Sequence, residues 1–417
     1  MLPLNGIRII DLSRALAGPY CTALLADLGA EIIKVESITG GDSSRSWPPF
    51  QGDHSLYFDS ANRNKKSIAL DLYSEAGREV LSRLLSEAEA LVENFKPGTL
   101  AKMGFSAEVL KTINPRLITT SINGYGDHGP LRQRAGLDQV VQAISGLTSV
   151  TGSSAENTYR VGVPIVDISS GMIAAVGLAA ALLGRERGVE VERVSTSLFE
   201  TALGLAVFQG QRALSLAEVP EPPGNDHPTI SPYGVFRSGT EALVIAVGTE
   251  QQWSRFCVEL GQPGLAQDER FSTGRDRTAN RAELNDIITT LLAEQPASYW
   301  IDRLSAAGIP CGPINNYLQA VESEQAAALG MVQQVSRADG SELRLLRGPL
   351  SIDSVPVSIT AAPPALGEQT RQILAAAGYQ QEQVADLLRA GVAGATEQLE
   401  RAERIEQALT HQGGAKW

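Results

Sequence analysis

The 417-residue chain carries 35 Lys plus Arg against 47 Asp plus Glu, a formal net charge of −12, with 43% hydrophobic and 20% charged residues. That length suggests two or three globular domains with a sizeable core, and the acidic balance argues against a nucleic-acid platform, which needs a basic field. The three cysteines (Cys21, Cys257, Cys311) and four histidines (His54, His128, His227, His411) are scattered, so neither a disulfide framework nor a metal site is expected.

The N-terminus, MLPLNGIRII, has no basic segment followed by an apolar one. The apolar run Gly171–Gly184 is shorter than the roughly 20 residues that cross a bilayer. A cytoplasmic protein with no membrane partner is expected. From the N-terminus the chain alternates strand and helix signals. Ile7–Leu12 reads as a strand, Pro19–Leu28 as a helix and Glu31–Glu36 as a strand. Lys66–Leu72 then reads as a strand, Ser74–Ala88 as an amphipathic helix capped by Ser74, and Ala90–Phe95 as a strand. Ser106–Ile113 and Arg116–Ile122 continue as helix and strand. Such alternation predicts parallel βαβ units in an open α/β sheet, with ligands bound in loops beyond the carboxyl ends of the strands. Those loops are Ser13–Pro19, Ser37–Trp47, Asn94–Met103 and Asn123–Pro130.

Gly171–Leu183 is apolar on every side and predicts a central buried helix, followed by a strand over Val189–Ser197. The proline-rich PEPPGNDHP marks a domain boundary. A second, smaller α/β unit follows, with a strand at Leu243–Val247 and helices at Gln251–Leu260 and Arg281–Leu292. Thr370–Gly378 reads as a helix, and Ala395–Trp417 as a charged helix with a loose end.

The first loop, SRALAGPY, has a single glycine where the G-x-G-x-x-G fingerprint has three, so a dinucleotide is not expected there. Neither a G-x-S-x-G elbow nor a P-loop occurs. The unusual residue is Asp167 in VGVPIVDISSGMIAAVG, the only charge between Arg160 and Arg185. An acid at a helix N-terminus is stabilised by unpaired N–H groups and the helix dipole. Two readings stand: Asp167 caps the helix, or it is a positioned carboxylate nucleophile. The basic loops ANRNKKS and ENFKPGTLAKMG suit an anion such as a phosphate, or are solvated turns. His227 in GNDHP is a candidate for a substrate carboxylate.

Taken together, the segments resemble the class III CoA-transferases, the CaiB–BaiF family. The strings are GIRIIDLSRALAGPYCTALLADLGAEIIKVE, GGDSSRSW, NRNKKSIALDL, VENFKPGTLAKMGF, SINGYGDHGP, LDQVVQAISGLTSVTG, PIVDISSGM, GNDHPTISPYGVF, GTEQQWSRFC, AAGIPCGPINN and PPALGEQT. They follow the family's order over about residues 4–392. The resemblance implies an α/β fold with a Rossmann-like large domain and a smaller α/β domain. The large domain would take residues 1–224 and again 326–417, the latter with a helical tail, and the small one 225–325. It also implies an interlocked homodimer.

The implied reaction moves CoA from an acyl-CoA donor to a free carboxylic acid, with coenzyme A entering as a substrate and no tightly bound cofactor. Asp167 falls on the family's catalytic aspartate, which passes through an aspartyl-CoA thioester. The implied CoA contacts are Leu16, Ala17, Leu70 to Tyr73, Asn94, Phe95, Lys96, Lys102, Met103 and Ala135 to Asp138. Lys102 stands where arginine is frequent, and Ser37 where the formyl-CoA branch has arginine. The family's racemases instead use a histidine in AGHD; this chain has Leu137 in AGLD. Their aspartate segment is Thr151–Ala155 here and carries no acid, although Glu156 follows, and Glu250 matches their glutamate. The transferase reading is favoured, with a racemase-type epimerase or a non-catalytic acyl-CoA-binding protein as alternatives. GNDHPTISPY lacks the glycine run of the formyl-CoA branch, so formyl-CoA and oxalate are not the expected pair. Arg14 and His227 suit the distal carboxyl of a dicarboxylate, with succinyl-CoA as donor.

Overall fold

A computed structural model describes residues 1–397; most of the charged helix expected from Ala395 onward lies outside the described residues. The chain forms two compact units, Met1–Ser145 with Val161–Val207 and the segment from Glu324 onward, and Gly146–Arg160 with Phe208–Ser323.

In the larger unit the elements run β1 (Arg8–Asp11), α1 (Ala17–Asp27), β2 (Glu31–Ser37), α2 (Leu56–Ala61), β3 (Lys65–Leu70), α3 (Glu75–Ser86) and β4 (Ala90–Glu93). They continue with α4 (Thr99–Lys102), α5 (Ala107–Ile113), β5 (Ile118–Asn123), α6 (Asp138–Ile144), α7 (Ile165–Glu186), β6 (Arg193–Ser197) and α8 (Leu198–Gly204). The six strands are parallel, in the spatial order β6-β5-β4-β1-β2-β3. That is the doubly wound arrangement, and the winding reverses between β1 and β4.

Strand alternation sends Ile10, Ile33, Val35, Ile68 and Leu91 to one face, where they meet Val80, Leu81, Leu84 and Leu85 of α3 and Leu110 of α5. Ser74 and Ser106 start those two helices, each accepting from a backbone N–H one turn on, at Gly77 and Val109. On the other face α1 and α7 pack on each other and on the strands. Helix α1 begins at Ala17, and Pro19 sits in its first turn, where a missing N–H leaves no bond unmade.

Helix α7 differs from the expected all-round buried segment. It runs 22 residues, long and apolar enough to cross a membrane by composition alone. Val166, Ser170, Ala174 and Leu178 are buried within the unit, but Met172, Ile173, Val176 and Leu183 are exposed, Val176 at 70%.

In the smaller unit β7 (Tyr233–Arg237), β8 (Ala242–Ala246) and β9 (Cys311–Pro313) form an antiparallel sheet with helices α9 (Glu250–Glu259), α10 (Arg281–Leu292) and α11 (Ala297–Ala306). Its own core is aromatic, with Phe236, Trp253, Phe256, Phe271 and Trp300. This unit starts at Phe208, ahead of the proline-rich stretch, and takes in the hairpin region Gly146–Arg160. The Gly224 N–H donates to the Gly152 carbonyl at 3.0 Å, tying that hairpin to the proline-rich segment.

The chain then returns to the larger unit with α12 (Thr370–Ala376), α13 (Gln381–Arg389) and β10 (Ala393–Gly394). Strand β10 adds antiparallel to β3 and makes the sheet seven-stranded.

Candidate active site

The turn after β1 is held from below by a buried ionic cluster. Asp11 accepts from the Ser13 N–H (2.9 Å), the Ser13 hydroxyl (2.5 Å) and the Thr22 hydroxyl (2.7 Å), and pairs with Lys65 at 3.1 Å. Lys34 donates to the Ser13 carbonyl (2.8 Å) and pairs with Asp42 at 2.9 Å, with both side chains fully buried. Burial by itself would raise the Asp11 carboxyl, but Lys65 and Lys34 draw it down to about 2. Burial drags the Lys65 ammonium down to about 8 against the pull of Asp11. The network therefore serves the turn rather than solvent or ligand.

On the opposite side of the same turn, Asn94 at the end of β4 accepts from the Arg14 N–H (2.8 Å) and donates to the Arg14 carbonyl (2.7 Å). The Arg14 guanidinium lies over the Phe95 ring, 5.6 Å from its centre.

Asp167 is the third residue of α7, in its first turn. Pro164 precedes the helix and offers no side-chain cap. That work falls to Asp138, whose Oδ1 accepts from the Val166 N–H (2.9 Å) and the Asp167 N–H (3.2 Å). Gln142 holds the other oxygen of Asp138 at 2.6 Å. The carboxylate of Asp167 makes no hydrogen bond or ion pair with any described residue. Burial first, and then the charge of Asp138, push its pKa up to about 7. Of the two readings of Asp167, capping is taken by a different residue, and the acid remains available.

Tyr57 on α2 belongs to this surface as well: burial, then Asp167, then Asp138 raise its phenol, and its ring meets Trp47 edge-on at 5.0 Å. Sequence reading missed Tyr57. Its only signal was an aromatic pair, Tyr57-Phe58, ahead of the basic loop.

Helix α7 is seated directly on the start of α1. A Cβ on Gly171 would stand 2.5 Å from the Ala17 carbonyl oxygen, so only glycine permits the approach. The segment 135–138 is likewise pressed onto the Asn123–Pro130 loop, where a Cβ on Gly136 would meet Gly124 Cα at 2.4 Å.

Leu16 and Ala17, expected at CoA, close the first turn and are nearly buried. Leu70 is buried at the end of β3, and Phe95 and Met103 are half-buried against the same core. Tyr73 stands 94% exposed. Lys102 ends the short helix α4, and Ala135 is exposed ahead of Asp138. The polar atoms of the Asn94 side chain are occupied by Arg14, which leaves its main chain, Phe95 and Lys96 for a ligand. Beyond Lys96 a cavity of about 450 Å³ opens on the α5 face, with Ser121, Asn123 and Arg193 in its wall.

The basic loop ANRNKKS is not an anion site. Arg63 pairs with Asp27 (2.6 Å), Lys65 with Asp11 and Lys66 with Glu31 (2.6 Å), so its cations are committed within the fold. Lys96 and Lys102 have no ion pair among the described residues. Glu250, at the racemase position, is gripped by Arg277 at 2.8 and 2.9 Å, a bond that lowers its pKa.

His227, in the smaller unit, stacks on Tyr233 with centroids 5.0 Å apart. Its Nδ1 accepts from the Thr229 N–H at 3.2 Å, and Arg281 donates to its carbonyl at 2.6 Å. A neutral imidazole bonded in that way carries its proton on Nε2 and presents a donor.

The sequence profile of CoA-transferase family III matches residues 4–370. A succinate–glutarate CoA-transferase of Agrobacterium fabrum is 36% identical over 380 residues, covering 89% of this chain and 95% of that protein. An acetyl-CoA:oxalate CoA-transferase of Acetobacter aceti is 37% identical over 331 residues, covering 79% of this chain and 85% of that protein. Among solved structures, a CaiB/BaiF family protein from Brucella suis superposes with a TM-score of 0.80 at 35% identity, over 90% of this chain and 99% of its own.

Proposed function

The chain belongs to CoA-transferase family III, and we propose that it carries CoA from succinyl-CoA to a free dicarboxylic acid through a covalent aspartyl-CoA thioester on Asp167. The observation that carries this reading is a carboxylate in the first turn of α7 that caps nothing, because Asp138 caps the helix in its place. Its raised pKa makes it a stronger nucleophile than an ordinary carboxylate once ionised.

An Asp167 carboxylate oxygen attacks the thioester carbonyl of the donor, and the C–S bond breaks to give a mixed anhydride and CoA thiolate. The thiolate attacks the aspartyl carbon of the anhydride and displaces the donor's carboxylate, leaving the aspartyl-CoA thioester. The acceptor carboxylate attacks that thioester and expels the thiolate again. Attack of the thiolate on the acceptor's acyl carbon then releases the new acyl-CoA and the Asp167 carboxylate. No net proton is taken up. One difficult exchange is thereby split into easier acyl transfers.

Relatives whose names include succinate, glutarate and mesaconate support a dicarboxylate acceptor. Arg14, in the larger unit, and the Nε2–H of His227, in the smaller one, are each proposed as a contact for a substrate carboxyl, as the resemblance implies. Leu16, Ala17, Leu70 to Tyr73, the Asn94 main chain, Phe95, Lys96, Lys102, Met103 and the segment from Ala135 to Asp138 are proposed to seat CoA, with no tightly bound cofactor. The working form is proposed to be a cytoplasmic homodimer, interlocked as the family resemblance implies and independent of membrane and nucleic acid. The exposed apolar residues Met172, Ile173 and Val176 of α7, with Leu203 of α8, favour a covered face.

Intact-protein mass spectrometry tests the chemistry. The purified protein is incubated with acetyl-, succinyl-, glutaryl- and oxalyl-CoA, with hydroxylamine in a parallel set, and the products are peptide-mapped. A CoA adduct or hydroxamate on Asp167, strongest with succinyl-CoA, is expected. An adduct on another residue, or none with any donor, rejects the mechanism.

A further inference from the structure

In a doubly wound sheet the crevice where the winding reverses is the usual seat of a nucleotide. Here that crevice, between the carboxyl ends of β1 and β4, is crossed by the Asn94 side chain, which bonds both polar main-chain atoms of Arg14 at 2.8 and 2.7 Å. Its neighbours in the turn are held just as tightly. The Ser13 N–H goes to Asp11, the Ser13 carbonyl receives Lys34, and the Ala15 N–H goes to Asp42 at 3.0 Å. Every polar main-chain atom from the Ser13 nitrogen to the Ala15 nitrogen is thus bonded to a side chain.

Such restraint matches the backbone it maintains. Ala15 has φ +65°, a left-handed conformation that alanine seldom adopts unless its surroundings enforce it. The turn leads into Leu16 and Ala17, and the Ala17 carbonyl is the atom against which Gly171 of the Asp167 helix is packed. Asp11, Lys34 and Asp42 are buried members of the ionic cluster and support the fold at large. Asn94 is only half-buried, and its side chain bonds nothing but Arg14.

We propose that Asn94 is a positioning residue for CoA transfer: it closes the nucleotide crevice and fixes the Arg14–Ala17 main chain as a ledge that seats the acyl-CoA beside Asp167. This rests on the CoA-transferase reading of the same site. A ligand lies over the rim of the sheet instead of across the crevice, and the asparagine acts through Arg14 without itself holding CoA by its side chain.

The test is steady-state kinetics of Asn94→Ala and Asn94→Asp alongside melting curves and the Asp167 adduct assay. Loss of uniform binding raises KM and leaves kcat. For Asn94→Ala the KM for succinyl-CoA is expected to rise about 10-fold or more. The KM for the acceptor acid, kcat and the melting temperature should stay near wild type. Asn94→Asp keeps an acceptor for the Arg14 N–H and is expected to recover part of the loss. It also serves should the alanine variant fail to fold. An unchanged acyl-CoA KM in the folded variant, or equal rises for both substrates, overturns the positioning role. If wild-type protein forms the Asp167 adduct and the variant keeps wild-type KM, only this inference fails; if wild type forms no adduct, the transfer reading fails.

Discussion

Asp138 caps the helix that carries Asp167: one carboxylate oxygen accepts the N–H groups of Val166 and of Asp167 itself, at 2.9 and 3.2 Å. The same contact that fixes the nucleophile's backbone places a negative charge beside its side chain. Structural support and electrostatic activation thus come from one residue.

The pH dependence follows from that pair. With Asp167 raised to about 7, kcat/KM for acyl-CoA should climb with pH through an ionisation near neutrality, because only the carboxylate attacks. Asp138→Asn keeps an acceptor for the helix N–H groups and removes the charge. It should move the midpoint down by about one pH unit, since a like charge raises its neighbour's pKa. A pH–rate profile whose midpoint stays in place would show that Asp138 does not set it.

Stability should show the same group with the opposite demand. The folded protein holds the Asp167 proton more tightly than the unfolded chain, whose carboxyl sits near 3.8. Its contribution is fully present below that value and is lost as pH rises toward 7. At pH 8 the ionised acid is destabilising, so Asp167→Asn should unfold at higher denaturant by about 1–4 kcal/mol while losing all turnover. Urea titrations at pH 5 and pH 8 check this, and equal differences at the two values would contradict it.

Gly171→Ala places a methyl group 2.5 Å from a backbone oxygen that has no side-chain freedom to yield. The expected cost is about 1–3 kcal/mol from overpacking, with turnover falling further than stability because α7 is displaced from the first turn. Thermal melts and initial rates measured on the same preparation separate the two effects.

Val176→Asp puts a charge on the exposed apolar face of α7. Should that face join two copies, size-exclusion chromatography with light scattering will show a dimer for wild type and a monomer for the variant. A dimer in both would locate the interface elsewhere.

His227→Ala should raise KM for dicarboxylate acceptors about 10-fold and leave a monocarboxylate such as acetate unaffected, as befits the loss of one hydrogen bond to a charged group. Parallel acceptor titrations decide it, and equal rises for both acid classes would remove His227 from the distal carboxyl.

Much of the larger unit was legible because its order is local. Alternating strand and helix signals, with Ser74 as a cap, placed β1 to β5 within a few residues. The misreadings arose where the partner lies far along the chain. ANRNKKS read equally as an anion loop or a solvated turn because Asp11, Asp27 and Glu31, which neutralise its cations, precede it by 35 to 54 residues. That the Asn94 side chain is taken up by Arg14 was equally invisible, because Arg14 is 80 residues away. The acid at the head of α7 was visible, but not that a second acid would relieve it of capping. Helix α7 read as buried throughout, since a face awaiting another surface has the same composition as a core.

The strand Ala393–Gly394 closes an edge that the rest of the sheet leaves open, and Thr370 reinforces it by bonding both Ala69 and Gly394. The Ala69–Thr370 contact joins positions 301 residues apart. During synthesis on the ribosome, the outer edge of β3 is therefore complete long before its cover exists, and the whole smaller unit is made in the interval. A nascent chain halted after the smaller unit would present an unpaired strand flank, the kind of surface that recruits chaperones or pairs with another chain.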